Sequence, residues 1–301
     1  MTRAMDRPAP DAELSEDLAA LAHQAGSTLI AAVPLSRRGA AQRATAFQLR
    51  FADGTAWKGT ELASPDQAAS VAALAAALPA GAPRVIDRRG AALVSEWVEG
   101  ATLQDAAWTD DVLRACGALQ AQVHRCRPAA AVEADALLQR WQRRLRQRLD
   151  EIVAAGLLAP AQADALAALA RRNAPMRCEA GVILGDFCAE NIVYRHGGPP
   201  CLIDLETLTI APCDYDLGRT WYRWPMSAAQ RAVYLEGYRQ HRSAEAFLAH
   251  RLFWTIAALA HGVVFRHQQR AATTALPLDA LRALLADSTA DPTLVEVGAR
   301  R

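Results

Sequence analysis

Two sets of residues in this chain have the chemistry of phosphate handling. The first is a single side chain. Of 33 lysines and arginines, Lys58 alone is lysine. In a chain that uses arginine wherever charge alone is wanted, the surviving lysine marks a place for a compact ammonium on a flexible stem rather than a planar fork. The commonest enclosed task for such a point charge is to hold phosphate oxygens. The second set is Asp186, Asn191 and Asp204. An apolar run, Val182–Leu184, leads into a loop with Asp186 and Asn191. Ile192-Val193-Tyr194, a Gly197-Gly198-Pro199-Pro200 turn and Cys201-Leu202-Ile203 then read as a β-hairpin. Asn191 opens that hairpin and Asp204 closes it, so their side-chain oxygens can converge on one cation. Mg²⁺ takes only one or two hard oxygen ligands from protein and the rest from phosphates and water. Asp186, at the rim, stands where a hydroxyl acceptor would arrive.

The elements that must position these residues can be read as well. Residues 42–51 read as a strand, Ala52-Asp53-Gly54 as a hairpin turn and 55–62 as the returning strand. Upstream, Ser27–Leu35 is another apolar run that ends in Ser36-Arg37-Arg38-Gly39. Lys58 therefore falls on the third strand of an antiparallel meander. The first turn of that meander, with Ser36 and Gly39, could cover a nucleotide's phosphates, but with a single glycine it reads by itself as an ordinary hairpin turn.

Gly185-Asp186-x4-Asn191 followed by Ile203-Asp204-x-Glu206 resembles the catalytic and metal loops of the aminoglycoside phosphotransferase and choline kinase family. Asp214-Tyr215-Asp216-Leu217 is similar to that family's segment after the metal loop. Leu93–Leu103, with Glu96, Val98 and Gly100, is similar to its linker between lobes, and Gln120–His124 to a helix ending in Leu-His. The resemblance covers residues 28–265. It implies an α+β, bilobal protein-kinase-like fold, with a small antiparallel-sheet N-lobe and a mainly helical C-lobe. The expected boundaries are a tail at 1–13, a nucleotide-binding N-lobe at 14–98 and a C-lobe at 99–301.

By the same resemblance, Asp186 is the catalytic base, Asn191 and Asp204 hold Mg²⁺, and Lys58 contacts the phosphates of ATP. The backbone of Glu96, Trp97 and Val98 meets the adenine edge. Asp216 steadies the loop below the site. The implied activity is transfer of the γ-phosphate to a hydroxyl of a small molecule such as a sugar or amino alcohol. Glu206, Arg219, Trp221, Tyr222 and Trp224 are candidates to meet that acceptor. Arg219 and Arg223 would bind an acid or phosphate on it, or pair with Asp214 and Asp216. Two departures favour a rival reading as a kinase-like nucleotide-binding regulator. Leu184 stands where the family has histidine, and the helix expected at 64–78 offers Asp66 and Gln67 but no glutamate for Lys58. A kinase with a protein acceptor is the other alternative.

Composition narrows the classes. The net charge is +1, which gives no global field for nucleic acid or an acidic membrane. No apolar run is long enough to span a bilayer, and Met1–Pro10 lacks a signal-peptide core. Six cysteines without metal-ligand spacing read as free thiols of a cytoplasmic protein. Five arginines (140, 143, 144, 146 and 148) crowd one expected helix, an arrangement that reads as a solvated face and suits a polycationic acceptor poorly. Helices are expected at 109–126, 133–155, 160–173, 228–240, 244–269 and 277–286. The sequence leaves oligomeric state open.

Overall fold

The computed structural model describes residues 14–35, 45–126, 133–194 and 198–286. The chain divides into two compact units. One is Met1–Gly100 together with Cys201–Thr207; the other is Ala101–Pro200 together with Leu208–Arg301.

In the first unit, α1 (Glu16–His23) precedes β1 (Leu29–Pro34), β2 (Ala46–Phe51) and β3 (Ala56–Glu61). Then come α2 (Pro65–Ala75), β4 (Val85–Arg89) and β5 (Ala92–Glu96). The strands form one antiparallel sheet in the order β1-β2-β3-β5-β4. Alternation along a strand assigns the two faces. Phe47, Leu49, Phe51, Ala92 and Val94 take one face and meet Leu18, Leu21 and Ala22 of α1. That packing is close: a Cβ on Gly59 would come within 2.8 Å of Leu18. Lys58 pairs with Gln48 on one side and Ser95 on the other, so all three belong to the opposite face. The register thus takes Lys58 away from the apolar core under α1.

Both helices of this unit begin with a side-chain cap. Ser15 accepts from Leu18 N–H, with Glu16 and Asp17 following in the first turn. At α2, Ser64 accepts from Gln67 N–H while Gln67 Oε1 accepts from Ala63 N–H, with Pro65 in the first turn. Cys201–Thr207 joins this unit through Leu202 N–H, which donates to Gly81 O at 2.6 Å.

The second unit is mostly helical. Its helices are α3 (Asp110–Arg125), α4 (Ala134–Ala154), α5 (Pro160–Arg172), α6 (Cys213–Arg223), α7 (Ala228–Arg239), α8 (Glu245–Ala249), α9 (Arg251–Gln268) and α10 (Ala275–Ala286). Helices α3 and α7 cross at glycines. A Cβ on Gly117 would lie 2.0 Å from Tyr234 O, and one on Gly237 1.9 Å from Arg114 O, so only glycine permits the approach. Strand Ala180–Ile183 pairs antiparallel with Thr209–Pro212 and carries the chain toward Asp186.

Two expectations need correction. The helix expected at 244–269 is broken at His250, whose imidazole Nδ1 lies 3.1 Å from Asn173 O, leaving α8 and α9. Helix α6 was not anticipated. It follows Pro212 without a side-chain cap, and most of its residues, polar Asp214, Asp216 and Thr220 among them, are buried. Among the described residues, no helix is long and apolar enough to cross a membrane. Ser36 and Gly39 lie outside the described residues.

Candidate active site

Within the first unit, the lone lysine has found two carboxylates. Lys58 Nζ is hydrogen-bonded to Asp204 Oδ1 and lies 3.0 Å from Glu206 Oε2. Its side chain is 9 % exposed. Burial works against the ammonium, but Glu206 and Asp204 outweigh it, and the Lys58 pKa rises. Asp204 occupies the left-handed region at φ 63°, a conformation that short polar side chains tolerate best. Gln67 Nε2 donates to Glu206 O at 3.4 Å. A small pocket beside this cluster is lined by Lys58, Thr60, Val71, Leu93, Ser95 and Glu206. Glu206, expected to meet an acceptor, instead holds Lys58.

At the end of β5, Glu96 N–H donates to Arg84 O at 3.0 Å and Trp97 N–H to Ala56 O at 3.4 Å. The Glu96 carboxylate faces Arg84 Nε at 3.0 Å. Val98 follows the last of these bonds.

In the second unit, Asp186 sits in a braced loop. Asn191 Nδ2 donates to Asp186 O at 2.9 Å. That bond uses the amide nitrogen of Asn191 and leaves its carbonyl oxygen as the acceptor end. Gly185, at φ 75°, donates its N–H to Asp216 Oδ1 at 2.9 Å. Asp216 is fully buried. Its Oδ2 lies 3.0 Å from His124 Nε2 and accepts from Gln120 Nε2 at 3.1 Å. His124 Nδ1 lies 2.8 Å from Tyr238 Oη. Burial lowers the His124 pKa despite the neighbouring Asp216. The neutral imidazole therefore donates from Nε2 to the carboxylate and accepts from the phenol. Thr220 Oγ1 donates to Phe187 O at 3.1 Å, fastening the loop to α6. Leu184 is buried in the core beneath it.

The Asp186 carboxylate itself is held by arginines. Arg219 Nη2 donates to Oδ1 at 3.1 Å, and Arg223 Nε lies 3.4 Å from the same oxygen. Arg223 also meets Glu190 at 2.8 Å. Pairing of Arg219 and Arg223 with Asp214 and Asp216 is thus corrected to pairing with Asp186 and Glu190. Cys188, 3.6 Å from Arg223 Nη2, is buried, which pushes its thiol up to about 11. The aromatic segment divides. Trp221 and Trp224 are buried and pack edge-to-face on Tyr234, with Trp221 also on Phe247 and Trp224 on Trp108. Their rings belong to the core rather than to an acceptor surface. Tyr222 is half-buried, with Arg266 over its ring at 5.7 Å. The α4 arginines divide too: Arg140, Arg143, Arg144 and Arg146 are exposed, whereas Arg148 turns inward.

The model of the phosphotransferase enzyme family matches residues 49–248. No curated protein matches the chain in sequence. Among solved structures, the fold is similar to macrolide 2′-phosphotransferase from Brachybacterium faecium, at TM-score 0.60 and 18 % identity over 87 % of this chain and 96 % of that one. It is similar to a streptomycin–ATP complex of an aminoglycoside phosphotransferase, at TM-score 0.59 and 13 % identity over 91 % and 99 %. It is also similar to Plasmodium vivax ethanolamine kinase, at TM-score 0.52 and 9 % identity over 84 % and 76 %.

Proposed function

Because the chain belongs to the phosphotransferase enzyme family, we propose that it is a cytoplasmic, ATP- and Mg²⁺-dependent kinase that moves the γ-phosphate to a hydroxyl of a small molecule. In this reading residues 14–98 form the nucleotide lobe, bordered at the adenine by Glu96, Trp97 and Val98. Residues 99–301 carry the acceptor side.

The observation that carries the reading is the cluster of Lys58 with Asp204 and Glu206. A single buried ammonium, brought onto carboxylates 146 and 148 residues away in sequence, has the charge pattern of a phosphate and cation site. The donor chemistry fits. Asp204 and the Asn191 carbonyl are hard oxygen donors, and a cation shared with phosphates needs no more than two from protein. Among the described residues no larger His, Cys, Asp or Glu cluster competes for a metal. When bound, Mg²⁺ neutralises charge on the transferring phosphoryl group. The chain's own residues do the rest. Lys58 draws on the phosphate oxygens, Asn191 fixes the Asp186 backbone, and Asp216 fixes Gly185 from below. Asp186 then orients the acceptor hydroxyl and takes its proton.

The test is transfer of label from γ-labelled ATP, with Mg²⁺, to a pooled set of hydroxyl compounds, with Asp186→Asn in parallel. Label on one small molecule with wild type alone is the expected outcome. ATP binding without transfer to any acceptor overturns the reading in favour of a nucleotide-binding regulator.

A further inference from the structure

Around Asp186 the second unit gathers more positive charge than its acids balance. Arg148 of α4, Arg219 and Arg223 of α6 and Arg266 of α9 lie near one another, while the acids facing them are Asp186 and Glu190. Three buried polar atoms in this group have no hydrogen-bond partner among the described residues: Arg148 Nη1, Arg219 Nε and Tyr222 Oη. Folded proteins rarely leave such atoms unpaired, because burial strips their water and nothing replaces it. The two guanidinium nitrogens are cationic donors and the phenol can donate as well, so an acceptor with negative charge completes all three.

We propose that this cluster is an anion subsite that selects an acceptor carrying a carboxylate or phosphate beside its hydroxyl. The anion is held by Arg148, Arg219 and Tyr222, and the hydroxyl is presented to Asp186. For the hydroxyl's fate this rests on the phosphotransfer reading; for the anion it rests on the side chains alone.

Arg219 is the link between the two ends. Its Nη2 is committed to Asp186 at 3.1 Å while its Nε is buried without a partner among the described residues. A group bound at Nε is therefore within one guanidinium width of the catalytic carboxylate, and the acceptor is a compact hydroxy acid or hydroxy phosphate. The packing keeps this arrangement rigid. Arg148 lies over the Trp141 ring at 5.5 Å, and that ring packs on Tyr215 of α6 at 3.9 Å. A Cβ on Gly262 would come within 2.8 Å of Tyr222 Oη, which fixes the phenol against α9. His261 supports the same sign. Burial, then Arg219, Arg148 and Arg144, push its pKa down to about 2, so the imidazole adds no charge of its own.

The test begins without nucleotide. Glycerate, glycerol 3-phosphate and inorganic phosphate are titrated calorimetrically into wild type, Arg148→Met, Tyr222→Phe and Arg140→Met, the last at an exposed arginine of the same helix. The expected result is binding weakened about tenfold or more in Arg148→Met, weakened less in Tyr222→Phe, and unchanged in Arg140→Met. Affinity that is absent, that survives both Arg148→Met and Tyr222→Phe, or that falls equally in Arg140→Met, overturns the subsite. A parallel transfer assay compares glycerate and glycerol 3-phosphate with glycerol and ethanolamine, and separates the carboxylate from the phosphate. Preference for an anionic member, with KM raised and kcat nearly unchanged in Arg148→Met, supports the subsite. Preference for glycerol or ethanolamine overturns it and leaves phosphotransfer standing. Anion binding lost with Arg148 but no transfer to any acceptor overturns phosphotransfer and leaves the subsite standing.

Discussion

Glu206 Oε2 lies 3.0 Å from Lys58 Nζ, and Gln67 of α2 donates to the backbone carbonyl of that same glutamate. The sequence offered no glutamate on α2 to face the lysine. The carboxylate comes instead from two residues beyond Asp204, and the helix contributes a neutral amide that holds its backbone. Glutamine cannot neutralise an ammonium, but it can fix the segment that does.

Removing the Glu206 charge should therefore loosen Lys58 without emptying its surroundings, since Asp204 remains. Glu206→Gln is expected to lower kcat/KM for ATP about tenfold, as for loss of one charge-assisted hydrogen bond. Steady-state kinetics with varied ATP would check this. An unchanged value would mean that Asp204 alone positions the lysine.

Asp216 is the second hub. It is fully buried and accepts from Gly185 N–H and Gln120 Nε2, with His124 Nε2 also in reach. An amide in its place turns one acceptor end into a donor facing donors. Asp216→Asn is expected to cost about 3 kcal/mol in urea unfolding, the range for buried bonds to a charged group. Because Gly185 precedes Asp186, the same variant should lose kcat while keeping nucleotide affinity.

The crossing of α3 and α7 gives a purely steric prediction. A methyl group at Gly237 would sit 1.9 Å from Arg114 O, a backbone atom that cannot turn aside. Gly237→Ala should destabilise by about 1–3 kcal/mol through overpacking, read as a lower denaturant midpoint. A variant as stable as wild type would show that the helices separate freely.

What was legible in the sequence follows from how local each signal is. The spacing of Asp186, Asn191 and Asp204 is local, and Lys58 stood out by composition. The partner of Lys58 was not legible, because Glu206 lies 148 residues away and only the packing of its segment brings it in. Trp221 and Trp224 read in the sequence equally well as rings lining an acceptor pocket and as wedges between helices; packing against Tyr234 places both in the core. Arg148 was hidden among five arginines. A usable signal existed: Arg144 and Arg148 are four apart and flank the apolar stripe of Trp141, Leu145 and Leu149, whereas Arg146 points outward to Asp150 and Asp164.

Two groups make stability depend on pH with opposite signs. Burial, followed by Arg219, Arg148 and Arg144, lowers the His261 pKa to about 2. The unfolded chain takes up that proton near pH 6.5, so the His261 contribution is full above that value and is lost as pH falls toward 2. Asp214 behaves in reverse. Burial raises its pKa to about 6 against the pull of Arg242, so its contribution is full below about pH 4 and is lost as pH rises through 6. Between pH 4 and 6 the two oppose each other. Urea midpoints across pH 4–8 should therefore fall more steeply on the acid side in Asp214→Asn than in wild type, and less steeply in His261→Gln. Parallel profiles for wild type and both variants would mean that neither group shifts on folding.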